Sequence, residues 1–351
     1  MAALSRIEAA KVLKRMRIHD DGIIAFGGIS SLISGPMGCG KTTFLIQLAM
    51  GVGHVSPGLR KEDHTNQNAL YPETIIWRGR KFDYWNSLVD WNFSRSYPNA
   101  SIHRKTVVHI CEGDELRFVE QIPKKPEFEF DDDLAKIRYY KSSDDLFRNL
   151  EPRGVNVVYE PNNYYLDPDV VEALTKRTLE DLRKARKRKL NQDGKSMKIS
   201  DSVIAPSPIF WFEFIEKIIH LKQQEDFFSI FIDEAHGVIP EKIPGEHWHL
   251  IGWLVQTLVD LRRNNVSLFL ATHDAQDIDY RVRSKILYWA WMPGANVYPK
   301  YSVFVPSITG KLRRGEFLVE SISPRNYGMS TYSPIPYQPP TIHTEGLKAS
   351  T

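Results

Sequence analysis

Apolar residues in this chain gather in short continuous runs rather than in alternating stripes. Ile29–Ser34, Thr74–Trp77, Thr106–Ile110, Gly154–Tyr159, Phe227–Ile232 and Val266–Thr272 each read as a strand buried on both faces. Between them the period changes to three and four. Residues 43–50, 210–223 and 246–264 are predicted helices, and 6–17 a short basic amphipathic one. Two weaker runs, Ser302–Val305 and Gly315–Val319, predict a terminal hairpin or sheet edge. No internal repeat is present. Fully apolar strands separated by helices predict an α/β fold, a mostly parallel sheet with helices on both faces. Ligands in such sheets bind beyond the carboxyl ends of the strands. The residues that do chemistry should therefore directly follow apolar runs, and Gly35, Asp233 and His273 all do.

The first of these positions opens the run Gly35-Pro36-Met37-Gly38-Cys39-Gly40-Lys41-Thr42-Thr43, which satisfies G-x-x-x-x-G-K-[ST]. A strand leads in and a helix leads out, as a nucleoside triphosphate cradle requires. Glycines keep side chains away so that backbone N–H groups can face phosphate oxygens. All nine residues are expected to line the nucleotide, with Lys41 reaching the β- and γ-phosphates and the Thr42 hydroxyl binding Mg²⁺.

The strand ending at Ile232 runs into Asp233-Glu234-Ala235-His236. After a phosphate loop, a carboxylate pair at a strand end has a division of labour: Asp233 for Mg²⁺, Glu234 for the water that attacks the γ-phosphorus. The next strand ends in Thr272-His273-Asp274, and His273 or Thr272 is placed to touch the γ-phosphate. Arg262, Arg263, Arg281 and Arg283 flank that strand and are the candidates for an arginine offered to the transition state, with Arg263 the first choice.

Composition narrows the class without changing it. The 351 residues, 42% hydrophobic and 25% charged, are ordinary for a globular protein, and a net charge of +3 selects no partner. Its distribution is uneven: Lys176 to Lys198 holds ten basic and three acidic residues, and Glu112 to Asp133 nine acidic and three basic. The basic run could face nucleic acid or form a solvated arm. Two cysteines, Cys39 and Cys111, exclude a disulfide framework and suit a reducing cytoplasm. No apolar run approaches the roughly 20 residues of a membrane-spanning helix, and no signal-peptide pattern opens the chain. The expected organisation is one ATPase domain over 1–332, carrying a charged insertion at about 163–207, and a loose tail over 333–351.

The stretch from Asp233-Glu234-Ala235-His236 through Arg262-Arg263 to Thr272-His273 and Ile278-Asp279 resembles the HerA–FtsK superfamily of DNA-pumping P-loop ATPases, in particular its viral packaging and zonula-occludens-toxin-like branches. The likeness covers about 29–48 and 227–285, and Ile75–Gly79 and Tyr327–Tyr332 look more loosely like the packaging and toxin-like branches. It implies a RecA-like P-loop NTPase fold, ATP and Mg²⁺ as cofactors, double-stranded DNA as cargo and a homo-oligomer, a hexameric ring. It also implies a sensor at position 273, where the superfamily usually carries glutamine. A membrane or capsid partner is compatible with the same likeness. Two other readings stay open at this point: a membrane-partnered assembly or extrusion ATPase, and a transporter-type ATPase of the ABC class. The second matches Ala271-Thr272-His273-Asp274 but has no Leu-Ser-Gly-Gly-Gln-like signature ahead of the Asp-Glu strand.

Overall fold

In the computed structural model, the residues described are 29–54, 74–79, 106–114, 135–152, 154–161, 206–222, 227–242, 248–261, 264–322 and 325–332. The predicted helix at 6–17, Arg262 and Arg263, the acidic run beyond Asp114, the whole basic run Lys176–Lys198, and the tail over 333–351 lie outside them.

Among the described residues ten strands form one sheet. In chain order they are β1 (Ser30–Ser34), β2 (Thr74–Gly79), β3 (Thr106–Cys111), β4 (Ala135–Tyr140), β5 (Val155–Tyr159), β6 (Phe228–Ile232), β7 (Val266–Thr272), β8 (Tyr288–Trp291), β9 (Glu316–Ile322) and β10 (Arg325–Thr331). Across the sheet the order is β10-β9-β8-β1-β7-β6-β2-β5-β3-β4. From β8 to β4 every neighbouring pair is parallel, and β9 and β10 add an antiparallel edge. The helices are α1 (Lys41–His54), α2 (Ser143–Asn149), α3 (Pro206–Leu221), α4 (Trp248–Leu261) and the single turn α5 (Tyr280–Arg283).

The continuous apolar runs have the predicted cause. Successive strand residues point to opposite faces, and both faces are covered. Leu32, Ile76, Ile230, Ile232, Leu268 and Leu270 face a core shared with α3 and α4. Ile33, Trp77, Phe231, Phe269 and Ala271 face a second core, closed by Phe44, Leu45 and Leu48 of α1. On that face Phe231 stacks on Phe269, with centroids 4.6 Å apart, and Trp77 stacks on Phe231 at 5.9 Å. Their registers, Trp77 opposite Phe231 opposite Phe269, lock three central strands level with one another.

Several elements depart from the sequence expectation. The helix after the phosphate loop starts at Lys41, two residues early, because its first turn is closed by Phe44 N–H donating to the Gly40 carbonyl at 2.9 Å. Helix α3 starts at Pro206, so the last two residues of the expected insertion are helical. The hairpin is made by β9 and β10. Ser302–Val305 is not a strand but leads into a 3₁₀ turn at Pro306–Lys311. Strands β4 and β8 were not expected. β4 is an edge strand with a mixed pattern, and β8 is four residues long and ends a segment dominated by polar and basic residues.

Candidate active site

Strands β1, β7 and β6 are neighbours, and each ends at a residue singled out for chemistry. Ser34 pairs with Thr272, so Gly35 and His273 leave the sheet side by side. Gly35 N–H still donates to the Thr272 carbonyl at 3.3 Å. Ile232 pairs with Leu270, which brings Asp233 out beside them.

The phosphate loop bends through Gly38 at φ +76° and Gly40 at φ +99°, in the left-handed region. A Cβ on Gly38 would meet nothing within 4 Å, so its backbone faces open space. At Gly40 a Cβ would lie 1.9 Å from the Tyr332 hydroxyl oxygen. Tyr332 follows β10 and braces the loop from behind: its hydroxyl donates to the Cys39 carbonyl at 2.8 Å, and its ring packs against Phe44 at 5.6 Å. Burial raises the pKa of the Tyr332 hydroxyl, so it stays a donor. Cys39 is a buried free thiol whose pKa burial also raises. Met37, at the tip, is 85% exposed.

Lys41 is buried, and its Nζ donates to the Gly35 and Pro36 carbonyls at 2.7 and 2.9 Å. It also lies 3.2 Å from His273 Nδ1. Lysine has only donors, so Nδ1 accepts and the ring proton sits on Nε2. Of the two expected sensors, His273 is the one that reaches the loop; Thr272 is fully buried and donates to the Asp274 carbonyl. Thr42 Oγ1 donates to Asp233 Oδ2 at 2.5 Å. These are the two oxygens expected at the metal, already within a single hydrogen bond of each other.

Asp233 Oδ1 accepts from the Glu234 N–H at 2.8 Å. Glu234 has φ +47° and ψ +54°, a left-handed conformation that costs a non-glycine residue about 1–2 kcal/mol. The turn is held from beneath by Arg78, at the end of β2. Its Nη1 donates to the Asp233 carbonyl at 3.2 Å and to the Glu234 carbonyl at 3.1 Å. Its Nε and Nη2 grip both oxygens of Glu160 at 2.9 Å each, and Trp211 Nε1 of α3 donates to Glu160 Oε2 at 2.7 Å. His236 follows in a 3₁₀ turn, its ring 5.8 Å from that of His273.

The arginine candidates separate clearly. Arg281 grips both oxygens of Asp279, and Arg283 pairs with Glu241 while lying over the Tyr301 ring. Arg263 and Arg262 lie outside the described residues. Asp274 is committed to structure: it caps a 3₁₀ turn through the Gln276 N–H and accepts from Tyr298 and Asn296. Burial, together with the Asp274 carboxylate, pushes the Tyr298 hydroxyl up to about 12. Two partners at this site, Arg78 and Tyr332, receive no role from the sequence. Arg78 had a signal: it is a lone charge continuing an apolar strand past Trp77, between strands that are buried on both sides.

Among the described residues no group of three or more His, Cys, Asp or Glu side chains converges to hold a metal, and no helix is long and apolar enough to cross a membrane. The donor set at Thr42 and Asp233 fits Mg²⁺, which typically takes one or two protein oxygens and completes its shell with water and substrate phosphates.

Neither a protein-family model nor a curated protein sequence matches the chain. Among solved structures it is similar to the genome packaging NTPase B204 from Sulfolobus turreted icosahedral virus 2 in complex with ATP-gammaS, at 9% identity and TM-score 0.34, over 87% of this chain and 98% of that one. It is also similar to EssC (ATPases 2 and 3) from Geobacillus thermodenitrificans, at 10% identity and TM-score 0.30, over 88% of this chain and 40% of that one. A third is EccC (ATPases 2 and 3) from Thermomonospora curvata in complex with a signal sequence peptide, at 11% identity and TM-score 0.32, over 86% and 36%. At these identities and scores the likenesses decide neither activity nor partner. The sheet order, the glycine-bent loop between β1 and α1, and the neighbouring ends of β1, β7 and β6 are those of an α/β P-loop NTPase fold of RecA-like architecture.

Proposed function

We propose that this chain is an ATP-hydrolysing motor of the HerA–FtsK type that translocates or packages double-stranded DNA. The observation that carries the hydrolytic half is the convergence of three strand ends, with Thr42 Oγ1 2.5 Å from Asp233 Oδ2 and Lys41 Nζ 3.2 Å from His273 Nδ1. A loop that only bound nucleotide would not need a carboxylate pair and a polar sensor around the same lysine.

Each side chain then has a task. Lys41 exchanges its two loop carbonyls for β- and γ-phosphate oxygens. The loop N–H groups and the start of α1 take the remaining phosphate charge. Thr42 and Asp233 hold Mg²⁺, which when bound neutralises charge on the β- and γ-phosphates. Glu234 accepts a hydrogen bond from water and aims its oxygen at the γ-phosphorus. The new P–O bond forms as the bond to the bridging oxygen breaks, releasing ADP and inorganic phosphate; one water proton leaves on the phosphate and the other passes to solvent. His273 offers its Nε2–H to a γ-phosphate oxygen, the same donor role a glutamine amide fills at that position. Arg263 of a neighbouring copy in a ring is the candidate for the transition-state charge.

The DNA half is supported by the resemblance of residues 233–279 and by the basic run Lys176–Lys198, which would contact phosphates without reading bases. The test is steady-state ATP hydrolysis with and without linear duplex DNA across a salt series, with Lys41→Ala and Glu234→Gln as controls. DNA should raise turnover, less so as salt rises. Turnover indifferent to DNA at every salt concentration would sink the translocase reading. Co-purification with a membrane protein and no DNA affinity would favour an assembly ATPase instead.

A further inference from the structure

Arg78 lies on a strand that contributes nothing to the phosphate loop, yet it is the residue on which the catalytic turn rests. In the parallel register Trp77 pairs with Phe231, so Arg78 comes level with the end of β6. Its side chain is 4% exposed. One guanidinium nitrogen serves the carbonyls of both Asp233 and Glu234, at 3.2 and 3.1 Å. The other two serve a single carboxylate, Glu160, as a bidentate fork. Glu160 is itself fixed by Trp211 Nε1 at 2.7 Å. Gly237, which closes the 3₁₀ turn after Glu234, stands where a Cβ would lie 3.4 Å from Arg78 Nη2.

Glu234 needs such support because its backbone is left-handed without being glycine. That strain persists only where the surroundings over-determine it. Two hydrogen bonds from one buried cation to consecutive carbonyls fix the rotation of both peptide planes. The peptide planes fix the directions in which the Asp233 and Glu234 side chains leave the chain. A planar guanidinium can reach two carbonyls and a bidentate carboxylate at once, and the ammonium of a lysine cannot.

We propose that Arg78, oriented by Glu160, is a positioning residue for hydrolysis: it sets the aim of Glu234 and leaves nucleotide binding to the phosphate loop. The inference rests on the hydrolytic reading above. Arg78 acts through the turn, by way of the Asp233 and Glu234 carbonyls.

The experiment measures ATP turnover and, separately, binding of a non-hydrolysable ATP analogue with Mg²⁺ for wild type, Arg78→Lys and Glu160→Gln. Turnover in the wild type establishes the reading on which the inference rests; its absence would fail that reading, and the positioning role with it. Given wild-type turnover, Arg78→Lys should lose roughly 10²-fold in kcat, within the range a misplaced catalytic group costs. Its KM and its affinity for the analogue should stay within about threefold of wild type. Glu160→Gln keeps an acceptor for Trp211 and loses the charged fork, and should fall about tenfold in kcat with the same split. A kcat within about threefold of wild type in both variants overturns the proposal. So does a parallel loss of turnover and analogue binding, which is the mark of general damage to the fold. If Arg78→Lys does not fold, Glu160→Gln decides by the same criteria.

Discussion

His109 offers a quantitative test of how the sheet is built. It lies on β3, fully buried, and its Nε2 is 2.9 Å from Asn156 Oδ1 on β5. The Asn156 amide donates to the carbonyls of Ile75 and Glu151, so its oxygen must face the ring and Nε2 must carry the hydrogen. The other ring nitrogen, Nδ1, is buried with no hydrogen-bond partner. Burial lowers the pKa of His109 from the ordinary 6.5 to about 4, against a smaller upward pull from Asn156, while Arg138 pushes it further down. The group is neutral in the folded protein and charges more readily unfolded. Between about 6.5 and about 4 the unfolded chain therefore binds more protons, and stability falls as pH falls. A tenfold difference in proton affinity between the folded and unfolded chains is worth about 1.4 kcal/mol. The full window therefore spans about 3 kcal/mol, and lowering the pH from about 7 to about 5 removes about 2 kcal/mol. Other groups titrate over the same range, so the readout is a difference. Urea unfolding of wild type and His109→Leu is followed at several pH values. The variant should lack about 2 kcal/mol of acid sensitivity, seen as a shallower fall in midpoint with unchanged m-value. Parallel pH profiles for the two proteins would refute the buried neutral histidine.

Two further outcomes follow from packing. Gly40→Ala places a methyl 1.9 Å from the Tyr332 oxygen at a φ of +99°, so the loop must move. ATP affinity measured by titration should fall about tenfold or more, the equivalent of about 1.4 kcal/mol, and unchanged affinity would mean that Tyr332 does not brace the loop. Phe231→Ala removes the middle ring of the Trp77–Phe231–Phe269 stack and should cost about 3–5 kcal/mol in urea unfolding. A cost below about 1 kcal/mol would mean that the core collapses around the gap.

The central sheet and the site within it were legible because their causes are local. Strands buried on both faces must be apolar throughout, and a phosphate loop must carry glycines between a strand and a helix. That Gly35, Asp233 and His273 each leave the end of a strand followed from the rule that ligands sit beyond strand ends. What escaped detection depends on partners distant in sequence. β4, Ala135–Tyr140, pairs with one strand among the described residues and so tolerates Arg138. β8 is a strand because β1 and β9 flank it, and its four residues are too few to show a period. Arg78 sits 155 residues from the carbonyl it holds, and no spacing rule links the two. Arg281 and Arg283 flank β7 as Arg263 does in sequence, but nearby carboxylates, Asp279 and Glu241, hold them.

Hydrolysis at the joined ends of β1, β6 and β7 is tested most directly by measuring ATP binding and ATP turnover side by side in wild type and Glu234→Gln. The variant keeps the phosphate loop, the Thr42–Asp233 pair and the Arg78 support, and loses only the carboxylate that aims the water. ATP affinity should be retained while turnover falls roughly 10²-fold or more. Turnover at the wild-type rate in Glu234→Gln, or none in the wild type under any condition, would rule out hydrolysis by this arrangement.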